Sequence, residues 1–410
     1  MAGGGRSQRA RTAPPGEPVP QDPASVREVA ATKRPTKRTC HASSSTSTSS
    51  ATHGPDVWTD LLECLLYQII ALLSSFSDLL AFSGTCQSWR AALLSFPSTF
   101  VSDIPPLYLQ PHFHYPHRNR SCIAYSLLYN CEWQLTDPAK RSFSRRCSPP
   151  RNHPTRMHYL GCSYGHLVFY NSGHCLLVDV SKGTTMRPPR VKSAGSHEVY
   201  YGILNAPINS PNSCLLCSRS SIFQWQVRSN SWLEHPIGDR RIIQIVFFKG
   251  EMYAMDCFDC IYTIRLSPQL SVQEVEIDYG EHWEESMVHN PMDWFVVSDG
   301  RLLMVDLCMH NVNSRRIIAS FRVFHLDFSI KPAKCVKVEN LGNHAIFVSF
   351  DVRNAALSCT NPERWGGKSN HIYVATQSKD SDEPWTMVKP DQSVPCRKWR
   401  CVDYPDCSEK

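Results

Sequence analysis

Gly161-Cys162-Ser163-Tyr164-Gly165-His166-Leu167-Val168-Phe169-Tyr170-Asn171-Ser172-Gly173-His174-Cys175-Leu176-Leu177-Val178-Asp179-Val180 is the stretch that decides the fold. His166–Tyr170 and Cys175–Val180 are short runs of apolar and β-branched or aromatic residues. Asn171-Ser172-Gly173 between them is turn chemistry, and Ser181-Lys182-Gly183-Thr184 is a second turn. The pair reads as a β-hairpin. The same grammar returns as Ile245–Phe248, Lys249-Gly250, Met252–Met255, and again as Trp294–Val297, Asp299-Gly300, Leu302–Val305. A less regular version runs from Cys214 to Val227. Hairpins that begin roughly 40–50 residues apart suggest the blades of a β-propeller. The repeats are degenerate and leave the blade number open. This all-β propeller-like domain is expected over 158–395, with a C-terminal tail over 396–410. The Pro-, His- and Arg-rich stretch 101–157 reads as a linker or a first irregular blade.

Upstream, the period changes. In 56–100, Leu62, Leu65, Leu66, Ile69 and Leu73 recur at helical spacing, with Cys64, Tyr67, Ile70 and Leu72 on the other faces. A helix that is apolar nearly all round must be covered on more than one side. Ser77 is expected to cap a second helix carrying Leu79, Leu80 and Phe82, with Asp78 at its positive end. Thr85 is expected to cap a third helix with Trp89, Ala92, Leu93 and Phe96, stopped by Pro97. Three short helices in about forty residues rarely stabilise themselves. Their surplus of apolar surface points to docking on another protein.

The chain has 410 residues and a net charge of +6. Residues 1–55 hold eight Lys/Arg and three acids, so +5 of that charge sits in a Gly-, Pro-, Arg- and Ser-rich tail expected to be disordered. The remainder is nearly neutral, which does not support a nucleic-acid-binding domain. Lys33, Arg34, Lys37 and Arg38 resemble a nuclear import signal; a solvated basic tail and a transit peptide are the other readings. No uninterrupted apolar run of ~18 residues marks a membrane span, and no hydrophobic core of a secretory signal follows Met1. The expected location is nucleus and/or cytoplasm, and the 18 cysteines are expected as thiols.

Trp58-Thr59-Asp60-Leu61-Leu62-Glu63-Cys64-Leu65-Leu66-Tyr67-Gln68-Ile69 resembles the opening L-P-x-x-L-L-x-x-I of an F-box. Asp78-Leu79-Leu80 through Cys86-Gln87-Ser88-Trp89-Arg90 resembles its closing D-L-x-x-x-x-x-V-C-x-x-W-R. Leu62 stands where that family usually has Pro, and Thr85 where Val is common. Gly161–Leu167, Phe321–Asp327, Leu341–Val348 and Asn370–Tyr373, in that order, are similar to the propeller-like domain of a large group of plant F-box proteins, the KIB type, whose domain was long labelled one of unknown function. The resemblance implies a small three-helix F-box that docks on the Skp-type adaptor of a cullin–RING ubiquitin ligase, followed by a propeller that recruits a protein target. It implies no catalytic residue, no cofactor and no metal. The residues expected to face the adaptor or to hold the helices in place are Leu61, Leu62, Leu65, Leu66, Ile69, Leu79 and Trp89. An interaction scaffold with a decayed F-box is the alternative that Leu62 motivates.

Four further motifs have a chemical and a structural reading. Gly161–Gly165 fits G-x-S-x-G, but a nucleophile elbow needs a helix after it, where strand is expected, so a propeller hydrolase is the weaker alternative. Gly367-Lys368-Ser369 has the end of a phosphate loop, yet Pro362 stands where its first glycine belongs. Cys214/Cys217 and Cys257/Cys260 form two C-x2-C pairs with zinc-knuckle spacing; the first lies in a strand-like run, where i and i+3 face opposite sides, the second sits more turn-like between two strands, and both are read as blade cysteines rather than zinc ligands. His112, His114 and His117 read as a His-rich loop. Exposed aromatics among Trp225, Trp232, Trp283 and Trp365 are candidate partner anchors.

Overall fold

A computed structural model describes residues 61–96, 103–111 and 133–395, apart from internal segments of which 148–156, 192–198, 281–291 and 376–384 are the longest. Lys33, Arg34, Lys37, Arg38, His112, His114, His117, Trp283, Cys396, Cys401 and Cys407 lie outside the described residues. Three helices come first: α1 (Glu63–Leu72), α2 (Phe76–Thr85) and α3 (Gln87–Ser95). No described helix is long and apolar enough to cross a membrane.

The rest is β. A three-stranded antiparallel sheet comprises β1 (Tyr108–Pro111), β2 (Trp133–Thr136) and β3 (Ser144–Cys147). Blade 1 is β4 (His158–Ser163), β5 (His166–Asn171), β6 (His174–Asp179) and β7 (Thr185–Met186). Blade 2 is β8 (Tyr201–Leu204), β9 (Cys214–Ser218), β10 (Ser221–Gln226) and β11 (Leu233–Pro236). Blade 3 is β12 (Ile242–Phe248), β13 (Glu251–Asp256), β14 (Ile261–Arg265) and β15 (Ser271–Glu274). Blade 4 has a short outer strand β16 (Ile277–Asp278), then β17 (Met292–Ser298), β18 (Arg301–Asn313), β19 (Arg316–Asp327) and β20 (Ala333–Lys337). Blade 5 is β21 (His344–Ser349), β22 (Leu357–Thr360), β23 (His371–Ala375) and β24 (Trp385–Val388). A last strand, β25 (Val394–Pro395), pairs with β19 of blade 4. The domain is therefore a five-bladed propeller.

The turns explain why the hairpins were readable. Tyr164-Gly165, Ser172-Gly173, Lys249-Gly250 and Asp299-Gly300 all have positive φ at both residues, the type I′ geometry that matches the twist of the flanking strands. The strands themselves are less alternating than a half-exposed sheet. Tyr201–Leu204 and Cys214–Ser218 are buried at every position. In these strands both faces are covered by neighbouring blades, so every position wants an apolar or small side chain, whereas outer strands such as β11 and β15 are half-buried or exposed. One core lies between each successive pair of blades. Leu160, Val168 and Leu177 of blade 1 meet Leu204, Leu215 and Phe223 of blade 2. Trp294, Leu303 and Val323 of blade 4 meet Ile346, Ile372 and Val374 of blade 5.

Blade 5 departs from simple hairpin order. Its strands run β22-β21-β23-β24, with β21 and β23 parallel. This excursion brings 351–360 to the inner edge, where the ring closes. Asn354 makes a parallel bridge with Cys162 of β4. Arg353 donates to the Tyr159 carbonyl at 2.6 Å, stacks its guanidinium 5.4 Å from the Tyr159 ring, and is held by Asp351 at 2.6 and 2.7 Å. The Tyr159 hydroxyl donates to Asn354 Oδ1. Gly161 lies between two backbones: a Cβ there would sit 2.6 Å from the Gly202 carbonyl oxygen and 3.0 Å from that of Arg353. The stretch 101–157 contains the three-stranded sheet rather than a full blade. Leu107, Leu109 and Leu135 pack on Tyr159, Leu167 and Phe169 of blade 1, and the Tyr108 ring lies 5.4 Å from Trp385 of blade 5.

Neither obstacle to a Cβ at Gly161 is a flexible side chain, so Gly161→Ala must push backbones apart. It is expected to destabilise the fold by at least ~2 kcal/mol in urea or thermal unfolding, whereas Gly250→Ala, which meets only the strain of its positive φ and no clash, is expected to cost less.

Candidate functional site

The helical trio builds a small core of its own. Leu66, Ile70, Phe82 and Ala92 are buried, and Leu61, Tyr67, Ile69, Leu73, Leu79, Trp89, Leu93 and Phe96 pack partly around them. The Phe82 and Trp89 rings lie 4.6 Å apart, and Tyr67 and Phe96 5.5 Å apart. Tyr67 donates to Glu63 and lies 2.9 Å from Ser95 Oγ, which ties α1 to α3. Its hydroxyl is harder to ionise than usual, chiefly because it donates to Glu63.

The caps differ from the expected ones by a few residues. Ser75, not Ser77, caps α2: its hydroxyl oxygen accepts from the Asp78 N–H at 3.1 Å and its O–H donates to Asp78 Oδ2 at 2.6 Å. Thr85 ends α2 and bonds back to the Ala81 carbonyl, while Cys86 is the cap residue of α3, with no side-chain bond. In both cases the helix begins at an extended residue; at α2 that residue, Ser75, also supplies the capping hydroxyl, and at α3 it does not. Cys86, at φ −156° and ψ 177°, is that break between α2 and α3. Leu62, the cap residue of α1, has φ −58° and ψ 139°, within the range a prolyl ring imposes.

The seven expected contact residues divide. Leu66 is core, at 3% exposure. Leu61, Ile69, Leu79 and Trp89 pack on that core. Leu62 and Leu65 are exposed, at 67% and 40%. Leu72 and Leu94, absent from the expected set, are exposed at 78% and 82%. Their sequence signal was faint: each adjoins a position in the helical repeat, and only the direction of its own side chain separates it from Leu73 or Leu93.

The trio is also bonded to the β domain. Arg364, in the 3-10 turn Pro362–Trp365, donates to the Ala71 carbonyl near the C-terminus of α1, where a cation suits the helix dipole. The same guanidinium holds Asp103 at 2.7 Å, and Asp103 also accepts from Thr360 of β22. The Ser77 N–H donates to Asp137 Oδ2 at 3.3 Å.

The other motifs resolve into structure. Ser163 ends β4 and its Oγ accepts the Leu204 N–H at 2.8 Å, with strand β5 following, so it is no nucleophile elbow. The N–H groups of Gly367, Lys368 and Ser369 donate to Pro362 O, Tyr373 OH and Glu363 Oε1 at 2.9, 2.7 and 2.9 Å, leaving no cradle for phosphate. Cys217 packs between blades 1 and 2, whereas Cys214 lies 2.9 Å from Gln226 Oε1; the two do not converge. Cys257 and Cys260 lie on a turn organised by Asp256, which accepts from the Phe258 and Cys260 N–H groups at 2.9 and 3.0 Å. Among the described residues no group of three or more His, Cys, Asp or Glu is placed to hold a metal ion. Trp225 and Trp365 are buried and Trp232 packs partly against the blade 1–2 core, which corrects their reading as exposed anchors.

With this geometry in hand, the profile of the KIB1-4 β-propeller family matches residues 134–397. The chain belongs to that family. The matched span runs from β2 through β25, so the KIB1-4 propeller includes part of the three-stranded sheet as well as all five blades. No curated protein matches the chain. Among solved structures, the chain is similar at 7% identity to the N-terminal domain of Nup159, covering 51% of this chain and 56% of that one with a TM-score of 0.31. It is similar at 10% identity to BBS1N in complex with ARL6DN, covering 51% and 73%, with a TM-score of 0.29. It is similar at 12% identity to PorZ of Porphyromonas gingivalis, covering 64% and 30%, with a TM-score of 0.32.

The division within the trio has a direct consequence for stability. Leu66→Ala is expected to destabilise the helices by about 2–5 kcal/mol, and Leu94→Ala by no more than about 0.5 kcal/mol, read from hydrogen exchange of the helix amides.

Proposed function

We propose that the chain is a non-catalytic substrate receptor of an SCF-type ubiquitin ligase, in which the trio is an F-box that docks on a Skp-type adaptor and the KIB1-4 propeller holds a protein target. The observation that carries the reading is the pairing of Leu62 and Leu65. They are exposed at the cap and first turn of α1 although the trio already has its own core, and both are among the seven positions that the F-box resemblance makes candidates for adaptor contact. Apolar side chains that fold stability does not use are available to a partner. Bringing a target lysine close to a ubiquitin-loaded enzyme needs no chemistry from this chain, because raising effective concentration is itself the catalytic contribution. The bonds from Arg364 and Asp137 to α1 and α2 would carry the adaptor-bound end and the target-bound end as one piece.

The competing scaffold reading rests on Leu62 in place of Pro. The backbone at Leu62 keeps a proline-like φ of −58°, so the substitution has not altered the entry into α1, which supports a working F-box.

Leu62→Asp with Leu65→Asp is the clean test, since both residues are exposed and the helices should remain folded. Capture of a Skp-type adaptor and cullin by the full chain is expected to fall at least ~100-fold, a loss of about 2.7 kcal/mol or more, with the helical signal unchanged. Undiminished capture by the double variant would refute the assignment. Leu62→Pro is expected to keep the fold and change adaptor affinity by less than about tenfold; a much larger gain would favour the decayed scaffold.

A further inference from the structure

Blades 3 and 4 meet over buried charge. Asp293 on β17, Asp306 on β18 and Arg322 on β19 stand directly opposite one another in register and so form one row across blade 4. Phe295, Met304 and Phe324 share that face and pack against Tyr253 and Met255 of blade 3. Arg322 gives Nε and Nη2 to Asp306 Oδ2 at 2.9 and 2.5 Å, and the Cys308 thiol donates to the same oxygen at 3.1 Å. Asp306 Oδ1 and both carboxyl oxygens of Asp293 are buried with no hydrogen-bond partner. Gln244 of blade 3, the nearest amide, is already committed to the backbone: it donates to the Asp293 carbonyl at 2.5 Å and accepts from the Phe295 N–H at 3.0 Å.

The groups that face this row make two ionised carboxylates harder to sustain. Asp259 comes from the turn after β13, and Tyr279, Cys335 and Cys308 add no positive charge. Arg322 is the cation of the row, and Asp306 takes its hydrogen bonds. Two adjacent carboxylates shielded from water would each lose their solvation and repel one another. A proton resolves both problems, because a carboxylic acid beside a carboxylate donates where two carboxylates only accept. A metal is the poorer solution, with Arg322 already on Asp306 and no metal-binding group among the described residues.

We propose that Asp293 keeps its proton at neutral pH and gives it to the neighbouring Asp306 as a hydrogen bond, and that this bond holds the seam between blades 3 and 4 closed. The direction of ionisation agrees. Burial, then the charge of Asp306, pushes the Asp293 carboxyl well above the carboxylate range, and burial raises neighbouring Asp259 to about 6. An unfolded Asp ionises near pH ~3.9. Between there and the raised folded value the folded chain binds the extra proton, so stability falls as pH rises and levels off once Asp293 ionises. The folding equilibrium should weaken by up to about tenfold per pH unit for that one proton.

The experiment is urea unfolding of the full chain at about pH 5, 7 and 9, with and without Asp293→Asn, which keeps a donor beside Asp306 but cannot titrate. The wild-type midpoint should fall with pH, and the variant should lose most of that slope. Infrared spectra of the native wild type at neutral pH should show a protonated carboxyl stretch that Asp293→Asn removes. If the variant fails to fold, the wild-type spectrum decides alone: absence of that band overturns the proposal. An unchanged slope in a folded variant, or a midpoint raised by millimolar Ca2+ or Mg2+ in wild type only, also overturns it, the last in favour of a metal site.

Discussion

The propeller depends on closure between its first and last blades at Gly161. Here β4 runs between the Gly202 carbonyl of blade 2 and the Arg353 carbonyl of blade 5, too close on both sides for a side chain. Around this contact the Arg353 guanidinium bonds and stacks on Tyr159, and Asn354 bridges to Cys162. No strand is shared between blades 1 and 5, so these polar contacts and the three-stranded sheet that touches both blades must do the joining. The looped order of blade 5 follows from the same need: β21 enters second from the inside, and the chain then swings inward to lay 353–360 against the ring.

The helical trio obeys a different constraint. Its core, about Leu66, Ile70, Phe82 and Ala92, is small, and small cores hold marginally by themselves. Bonds between the β domain and the helices supplement it: Arg364 donates to the Ala71 carbonyl and Asp137 accepts from the Ser77 N–H. This leaves Leu62, Leu65, Leu72 and Leu94 outside the fold's own requirements. The expected surplus of apolar surface is therefore present, although it is concentrated on a few residues rather than spread around α1.

Much of the β domain was legible. Lys249-Gly250 and Asp299-Gly300 announce two-residue turns because few other pairs accept positive φ twice in succession, and the flanking runs have nowhere to go but back on themselves. Blade 5 was not legible as a blade, because β21 and β23 are parallel and their connection carries the inner strand. The three-stranded sheet was hidden for a similar reason: its strands are four residues each and separated by long connections. The second half of G-x-S-x-G was read correctly as a turn, but its first glycine has a different cause, a close backbone approach from two other blades. At the helices, periodicity identified the segment, while Leu62, Leu65 and Leu66 looked equivalent.

The sequence alone determined what local chemistry controls: where hairpins turn, which segment is helical, which runs are apolar enough to be covered on both faces. Tertiary structure decided what depends on distant neighbours. It separated Leu65 from Leu66 by turning one into the trio and the other out, and set the number of blades by where Asn354 meets Cys162. It also buried Asp293 and Asp306, which the Asp299-Gly300 hairpin already sets opposite each other, in the seam against blade 3. Those outcomes follow from packing and ring closure, which act between residues that carry no mark of each other in the order of the chain.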